Sequence, residues 1–252
     1  VLGVEKGTRV RGHLLLTTKT YEATIRLGQA TNTDDADGEV TDAPGATLAE
    51  VGPRLQASVA ALTGTLQQVP SSVSAIKVGG QRAYALARKG EDVQLAAREV
   101  TVSRFDVLDV RETAAEGVRV VDIDVVVDCS SGTYIRALAR DLGAALGTGG
   151  HLTALRRTRV GPFGLEHATW DAVLPELAPG ELFDVRSYPL ADIAPLAFAT
   201  VEVDAEAAHD VGFGRPLALD VPADPTALVH DGRLLALYRP ADAGSVPVAV
   251  LV

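Results

Sequence analysis

Residues 118–146 read VRVVDIDVVVDCSSGTYIRALARDLGAAL, and this stretch predicts a strand that runs directly into a helix. The first part, Val118–Asp128, is dense in valine and isoleucine, as strands are. Its aspartates recur at even spacings, so they share one face of the predicted strand: Asp122, Asp124 and Asp128.

The second part of the stretch has the periodicity of an amphipathic helix over Thr133–Leu146. Thr133 is placed to cap its first turn, and Gly147 to end it. Arg136 and Arg140 lie four residues apart and therefore share a helix face. The apolar positions that predict the buried face are Ile135, Leu138, Leu142 and Leu146.

The junction Ser130–Arg136 suits an anion, because small hydroxylic residues lead into a helix N-terminus with exposed N–H groups. Tyr134 adds a flat stacking surface, and Arg136 adds a cation. The alternative interpretation is an ordinary capped helix with a tyrosine in the core. The pattern alone leaves both open.

Outward from this stretch, strand and helix patterns alternate. Tyr21–Leu27 and Val100–Val110 predict strands, and Thr31–Gly38 a polar loop. Thr47–Leu62 is amphipathic, and Pro53 is expected to open its main helix after a lead-in turn. Further predictions are a short helix over Arg82–Lys89, a hairpin at Asp231-Gly232 and a last strand over Val246–Val252.

The overall charge argues against a polyanionic partner, since 33 acids and 23 bases give −10. The local distribution differs in two windows. Ile76–Gly90 has four bases and no acid, and Ser131–Gly164 has five arginines with one acid, Asp141. Such windows are either solvated surface or a footprint for phosphates.

Several classes of protein are disfavoured. The single cysteine, Cys129, excludes an internal disulfide and a cysteine-rich zinc site, and indicates the cytoplasm. No segment has the apolar length of a membrane span, and the five histidines show no metal-ligand spacing. The acidic stretch Thr33–Gly38 does not begin a calcium-binding loop, because Pro44 occupies the twelfth position, where a bidentate glutamate is required.

Six blocks occur in the order and spacing of one known family and cover the chain to about Leu165. They are Lys19–Gly28, Thr31–Gly38, Val69–Lys77, Arg82–Gly90, Cys129–Arg136 and His151–Arg157. In these blocks the chain resembles the bacterial tRNA pseudouridine(55) synthases, the TruB family. The looser tail, Gly214–Leu217 and Asp231–Leu234, is similar to that family's small PUA-like appendage.

The resemblance implies an isomerase that flips uridine 55 out of the T-loop of tRNA and converts it to pseudouridine, without cofactor or metal. It assigns Tyr21 to stacking and proton transfer, Tyr134 to a second pocket position, and Arg136 to pairing with the nucleophilic aspartate. Leu155 would line the uridine pocket, and Asp35 matches a family aspartate. RNA contacts would come from Lys77, Arg156 and Arg157.

The nucleophile itself has no match. In the family it lies in a Gly-Thr-Leu-Asp-Pro block, whereas this chain opens at Val1-Leu2-Gly3-Val4, just downstream, and Gly64-Thr65-Leu66 is followed by Gln67. We therefore expect the 252 residues alone to be inactive. A tRNA-binding or folding module without catalysis is the alternative, and a metabolic enzyme unrelated to RNA fits less well.

The resemblance also implies the fold: an α/β protein of the α+β type, with a mixed, largely antiparallel sheet flanked by helices. The expected domains are a pseudouridine synthase domain over residues 1–190 and a β-rich, PUA-like domain over 196–252. We expect a cytoplasmic monomer whose partner is the T-arm of tRNA, with no membrane association.

Overall fold

The structure is a computed structural model that describes residues 2–15, 18–71, 77–78, 81–82, 95–168 and 187–252. The α-helices are α1 (Gly7–Leu15), α2 (Leu48–Ala61), α3 (Ile135–Leu146), α4 (Leu190–Ala197) and α5 (Ala205–Gly212). The longer strands are β1 (Lys19–Leu27), β4 (Gly64–Gln68), β7 (Arg98–Ala115), β8 (Val118–Cys129) and β9 (Gly150–Val160), then β11 (Ala199–Glu202), β12 (Thr226–His230), β13 (Arg233–Ala241) and β14 (Gly244–Val250). The short strands are β2 (Ala30–Thr31), β3 (Val40–Asp42), β5 (Lys77–Val78), β6 (Gln81–Arg82) and β10 (Phe163–Gly164).

The chain divides into two compact units, one of residues 17–159 and one of residues 1–16 with 160–252. In the first unit the strands lie in the order β9-β1-β8-β7-β4. The pairs β1–β8, β7–β8 and β4–β7 are antiparallel, and Tyr21 is opposite Val127. The expected α+β class with a largely antiparallel sheet is confirmed.

One face of this sheet carries the core of the first unit. Ile25, Leu27 and Ile123 are fully buried there against α2 and α3. The opposite face carries the aspartates predicted to share a face of β8, and each is held by a neighbouring strand. Asp122 receives two hydrogen bonds of 2.8 Å from Arg26, and Asp124 receives one of 2.6 Å from Thr24.

Helix α2 corrects the prediction for Pro53. The helix is continuous from Leu48 to Ala61 with Pro53 inside it, not at its start. It begins instead at a capping box, in which the Thr47 hydroxyl accepts from the Glu50 N–H and the Glu50 carboxylate accepts from the Thr47 N–H. This reciprocal pair fixes the N-cap at Thr47, six residues before the proline, where propensity alone suggests a turn.

Helix α3 lies close to the start of β9 because glycines meet there. A Cβ on Gly143 would lie 2.2 Å from the carbonyl carbon of Gly149, and one on Gly150 would lie 2.5 Å from the Ala139 oxygen. The helix ends at Gly147 as predicted, in the left-handed conformation with φ of 77°.

The second unit contains a sheet in the order β11-β12-β13-β14. Strand β11 runs parallel to β12, and the other two pairs are antiparallel. The hairpin predicted at Asp231-Gly232 joins β12 to β13 and is confirmed, whereas α4 and α5 are helices that the sequence pattern did not predict. Tyr238 is fully buried in this unit and donates a 2.7 Å hydrogen bond to the Arg215 carbonyl.

The predicted helix over Arg82–Lys89 lies outside the described residues, apart from Arg82 in β6. Among the described helices, none combines the length and the apolar character that crossing a membrane requires.

Candidate active site

The acidic loop after β2 forms one side of the candidate site, and its own contacts fix the Asp35 carboxylate. Oδ1 of Asp35 accepts from the Thr33 hydroxyl at 2.5 Å and from the Asp37 N–H at 3.2 Å. The Asp35 carbonyl accepts from the Thr31 hydroxyl at 2.8 Å, and its backbone forms a parallel bridge with Leu152. The second carboxylate oxygen, Oδ2, is thereby oriented toward α3.

Arg136, in the first turn of α3, donates through Nη1 to Asp35 Oδ2 at 2.8 Å and to the Thr33 carbonyl at 3.2 Å. The Arg136 and Asp35 side chains are 23% and 25% exposed, so the pair is partly shielded from water. Both residues are site candidates from the sequence, and the structure brings them together although they lie 101 positions apart in the chain. Asp35 is a different carboxylate from the nucleophilic aspartate that the resemblance pairs with Arg136.

The start of α3 corrects the expectation for its N-cap. The N-cap is Tyr134, not Thr133, and its own side chain makes no capping hydrogen bond. Gln68 at the end of β4 supplies the cap instead. Its Oε1 accepts from the Tyr134 N–H at 2.8 Å, and its Nε2 donates to the Tyr134 carbonyl at 3.1 Å. This N–H at the helix start is therefore already engaged by the protein.

Tyr21 lies on β1, half-buried at the edge of the core. Burial raises the pKa of the Tyr21 phenol above its ordinary value, and a hydrogen bond with Arg157 partly opposes this rise. The phenol is consequently neutral at physiological pH. The structure thus brings together Tyr21 and Arg157, two residues that the sequence analysis had assigned to different roles.

Of the other predicted site residues, Leu155, Arg156 and Arg157 lie on β9, Tyr134 lies at the start of α3, and Lys77 lies in β5. Leu155 is 49% exposed, and Arg156 and Arg157 are exposed beside it. Tyr134 is half-buried at its capping position. The side chain of Lys77 lies outside the described residues.

The basic window 131–164 is less positive than its sequence suggests. Three of its five arginines pair with carboxylates: Arg136 with Asp35, Arg140 with Asp34 and Asp141, and Arg159 with Asp128. All of these acids except Asp141 come from outside the window, so a count along the chain does not include them. Arg156 and Arg157 are exposed on β9. The other window, 76–90, has no described side chains.

Cys129 is buried, as predicted for a small core residue, and burial raises the pKa of its thiol. His151 is also buried, with Nδ1 lying 3.1 Å from the Gln29 carbonyl. Within the described residues, no group of three or more His, Cys, Asp and Glu side chains is placed to hold a metal ion.

Comparison with known proteins assigns the chain to a family. Residues 1–135 match the model of the TruB family pseudouridylate synthase N-terminal domain, and residues 136–179 match that of the tRNA pseudouridylate synthase B C-terminal domain. The chain is 54% identical to tRNA pseudouridine synthase B of Nocardia farcinica, covering all of this chain and 79% of that protein. It is 57% identical to the Rhodococcus jostii protein of the same name, covering 95% of this chain and 75% of that one.

Solved structures show the same fold at lower identity. The chain matches a structure titled H/ACA RNP bound to a substrate RNA containing 2'-deoxyuridine, with a TM-score of 0.62, 20% identity, and coverage of 99% of this chain and 70% of that one. A Cbf5-Nop10-Gar1 complex matches with the same TM-score, 22% identity, and coverage of 99% and 71%. The family models, which match more than half of the sequence, and the identity of 54% to a tRNA pseudouridine synthase B show that the chain belongs to the TruB family of pseudouridylate synthases.

Proposed function

We propose that this protein isomerises uridine 55 in the T-loop of tRNA to pseudouridine. The observation that carries the proposal is identity of 54% over the whole chain to a protein named for this activity on tRNA. In the reaction the bond between N1 and the ribose C1′ breaks, the base turns, and a bond from C5 to C1′ forms. The C5 hydrogen is lost as a proton and N1 gains one, so substrate and product are isomers.

The target base must leave the stack before any side chain can reach it, and a flipped base needs a flat partner. Tyr21 suits this role because its ring is fixed by the core on one side. The Tyr21 phenol is protonated at neutral pH, and burial raises its pKa further. Its hydroxyl would take part in proton transfer with the flipped base. Leu155, half-exposed on β9, would supply an apolar wall of the pocket.

Arg136 would orient the carboxylate that attacks the sugar or the base. A guanidinium has five N–H donors in a fixed plane and can serve two carboxylates at once. In the structure Asp35 fixes the guanidinium from one side at 2.8 Å. A nucleophilic aspartate in a Gly-Thr-Leu-Asp-Pro block would meet it from another, and this block does not occur within the 252 residues.

The RNA-binding surface would include Arg156, Arg157 and Lys77. The structure does not describe the side chain of Lys77. These arginines can contact phosphates or stack on unpaired bases. We further propose that the synthase domain spans residues 1–190, with a PUA-like domain over 196–252, and that the protein acts as a monomer in the cytoplasm. The sheet formed within residues 199–250 supports the second domain.

The test compares the product of the complete gene with the 252-residue chain on a T-arm stem-loop. We expect the complete product to convert uridine 55, and the 252-residue chain to bind the RNA without converting it. A stem-loop with cytidine at position 55 controls for specificity. If the complete product binds but leaves uridine 55 unchanged, the alternative of a tRNA-binding module without catalysis replaces the proposal.

A further inference from the structure

Arg140 lies one helical turn beyond Arg136 and contacts the residue that precedes Asp35. Its Nη1 lies 3.3 Å from Asp34 Oδ2, and its Nη2 donates to the Val69 carbonyl at 2.8 Å. Its Nε donates to Asp141 Oδ1 at 2.9 Å on the same helix. A single guanidinium therefore joins α3, the acidic loop and the segment that follows β4.

Asp34 is held from a second direction as well. The hydroxyl of Ser71, which is fully buried, donates to Asp34 Oδ2 at 2.6 Å. The Asp34 carbonyl accepts from the Leu152 N–H at 3.0 Å. The Asp34 side chain is only 14% exposed, so these contacts are formed largely out of water.

Asp34 and Asp35 are adjacent in the chain, yet they contact Arg140 and Arg136, which lie four positions apart on α3. The backbone conformation of Asp34 accounts for this. Asp34 has φ of 61°, the left-handed region that non-glycine residues rarely adopt. Its carboxylate is bound by Arg140, while that of Asp35 is bound by Arg136. Because the two arginines share one face of α3, the loop is held to the helix at two adjacent points.

We propose that Arg140, Asp34 and Ser71 form a positioning brace that sets the Asp35 carboxylate against Arg136. The inference rests on the proposed function, since it concerns how that site is held in a reactive geometry. The brace residues touch neither the substrate nor the reacting atoms; they act through Asp35. A small displacement of reacting groups lowers a rate far more than it lowers binding.

The ion pair Arg111–Asp124 is a matched control. It joins β7 to β8, two strands that backbone hydrogen bonds already hold together, and the contacts that Arg111 makes are with Asp109 and Asp124. An alanine at position 111 removes an arginine from the same unit without touching the loop, α3 or the segment 69–71.

The first measurement is hydrogen–deuterium exchange in the 252-residue chain. In Arg140→Ala and in Asp34→Ala we expect exchange across residues 29–42 to become at least several-fold faster, with β7 and β8 unchanged. The double variant should show less than the sum of the two single effects, because both changes remove the contact between Arg140 and Asp34. In Arg111→Ala the loop should exchange as in the wild type. Wild-type exchange of the loop in Arg140→Ala and Asp34→Ala would overturn the brace.

The second measurement is the single-turnover rate of the complete gene product at saturating T-arm RNA. We expect Arg140→Ala to lower this rate about tenfold while the Kd for RNA stays within about twofold. Arg140→Lys should restore part of the rate, since an ammonium can reach Asp34 but lacks the planar fork. Ser71→Ala, which removes one hydroxyl, provides a milder test if Arg140→Ala folds poorly.

The outcomes separate the two proposals. Absence of pseudouridine with the wild type would contradict the proposed function, while the exchange measurement would still decide whether the brace exists. Faster exchange with an unchanged rate would show that the contacts stabilise the loop only, and the positioning role would then be wrong.

Discussion

At the scale of single residues, Tyr21 shows how the fold changes the chemistry of a side chain. The sequence predicts a strand residue, and the family resemblance supplies its role. Only the structure shows the phenol half-buried beside the core and hydrogen-bonded to Arg157, with a raised pKa. Period-2 alternation could predict the strand, whereas the contact with Arg157 depends on which strand lies next to β1 in the folded protein.

Tyr21 should therefore ionise above pH 10, the ordinary value for a phenol. Since the pKa is raised by folding, the associated stability is fully present below about pH 10 and is lost as the pH rises through the folded pKa. The measurement is phenolate absorbance against pH, with Tyr21→Phe subtracted from the wild type. A difference curve centred at or below pH 10 would contradict this assignment.

At the scale of elements, local pattern predicted the periodic parts of the fold and failed where distant residues decide. Strands β1 and β8, the body of α3 and the hairpin at Asp231-Gly232 were correct, because their patterns are local. The start of α3 was wrong by one residue, since Gln68 provides the cap from 66 positions away. Likewise Pro53 was misplaced, because the capping box outweighs the preference of proline for a first turn.

Gly143 should tolerate no side chain, because a Cβ there would collide with the backbone of Gly149 at 2.2 Å. We expect Gly143→Ala to lower the free energy of unfolding by about 1–3 kcal/mol, as forced overpacking does. Urea denaturation of the 252-residue chain measures this change.

The matched control is Gly52→Ala, a helical glycine at which an added Cβ meets only the Leu48 side chain, at 3.8 Å. It should raise the unfolding free energy by about 0.5–1 kcal/mol through backbone entropy. Equal effects at the two positions would show that helix propensity, not the close approach to β9, governs Gly143.

At the scale of the whole molecule, an acidic chain belongs to a family of pseudouridylate synthases, and the structure shows which of its arginines are paired with acids. Much of the positive charge near the candidate site is neutralised internally by Asp34, Asp35 and Asp128. Position in the sequence could not predict this, since each acid lies far from its arginine along the chain. The predicted footprint for phosphates includes the exposed arginines of β9, Arg156 and Arg157.

Arg156→Ala and Arg157→Ala should each weaken binding of tRNA and make it less sensitive to salt. Each lost phosphate contact reduces the magnitude of the slope of log association constant against log salt concentration by about 0.7–0.9. The measurement is a salt titration of affinity, with Arg233→Ala, an exposed arginine in the second unit, as the control of equal charge. If both variants have the same slope as the wild type, these arginines do not contact the RNA phosphates.

The central claim is that the site around Tyr21 and Arg136 forms pseudouridine at position 55 of tRNA. The most direct measurement is the pseudouridine content at that position in cells whose own enzyme for it has been deleted, after expression of the complete gene or its Tyr21→Leu variant. We predict near-complete modification with the wild type and none with the variant, at equal protein levels. Unmodified uridine 55 with the wild type, or full modification with Tyr21→Leu, would contradict the claim.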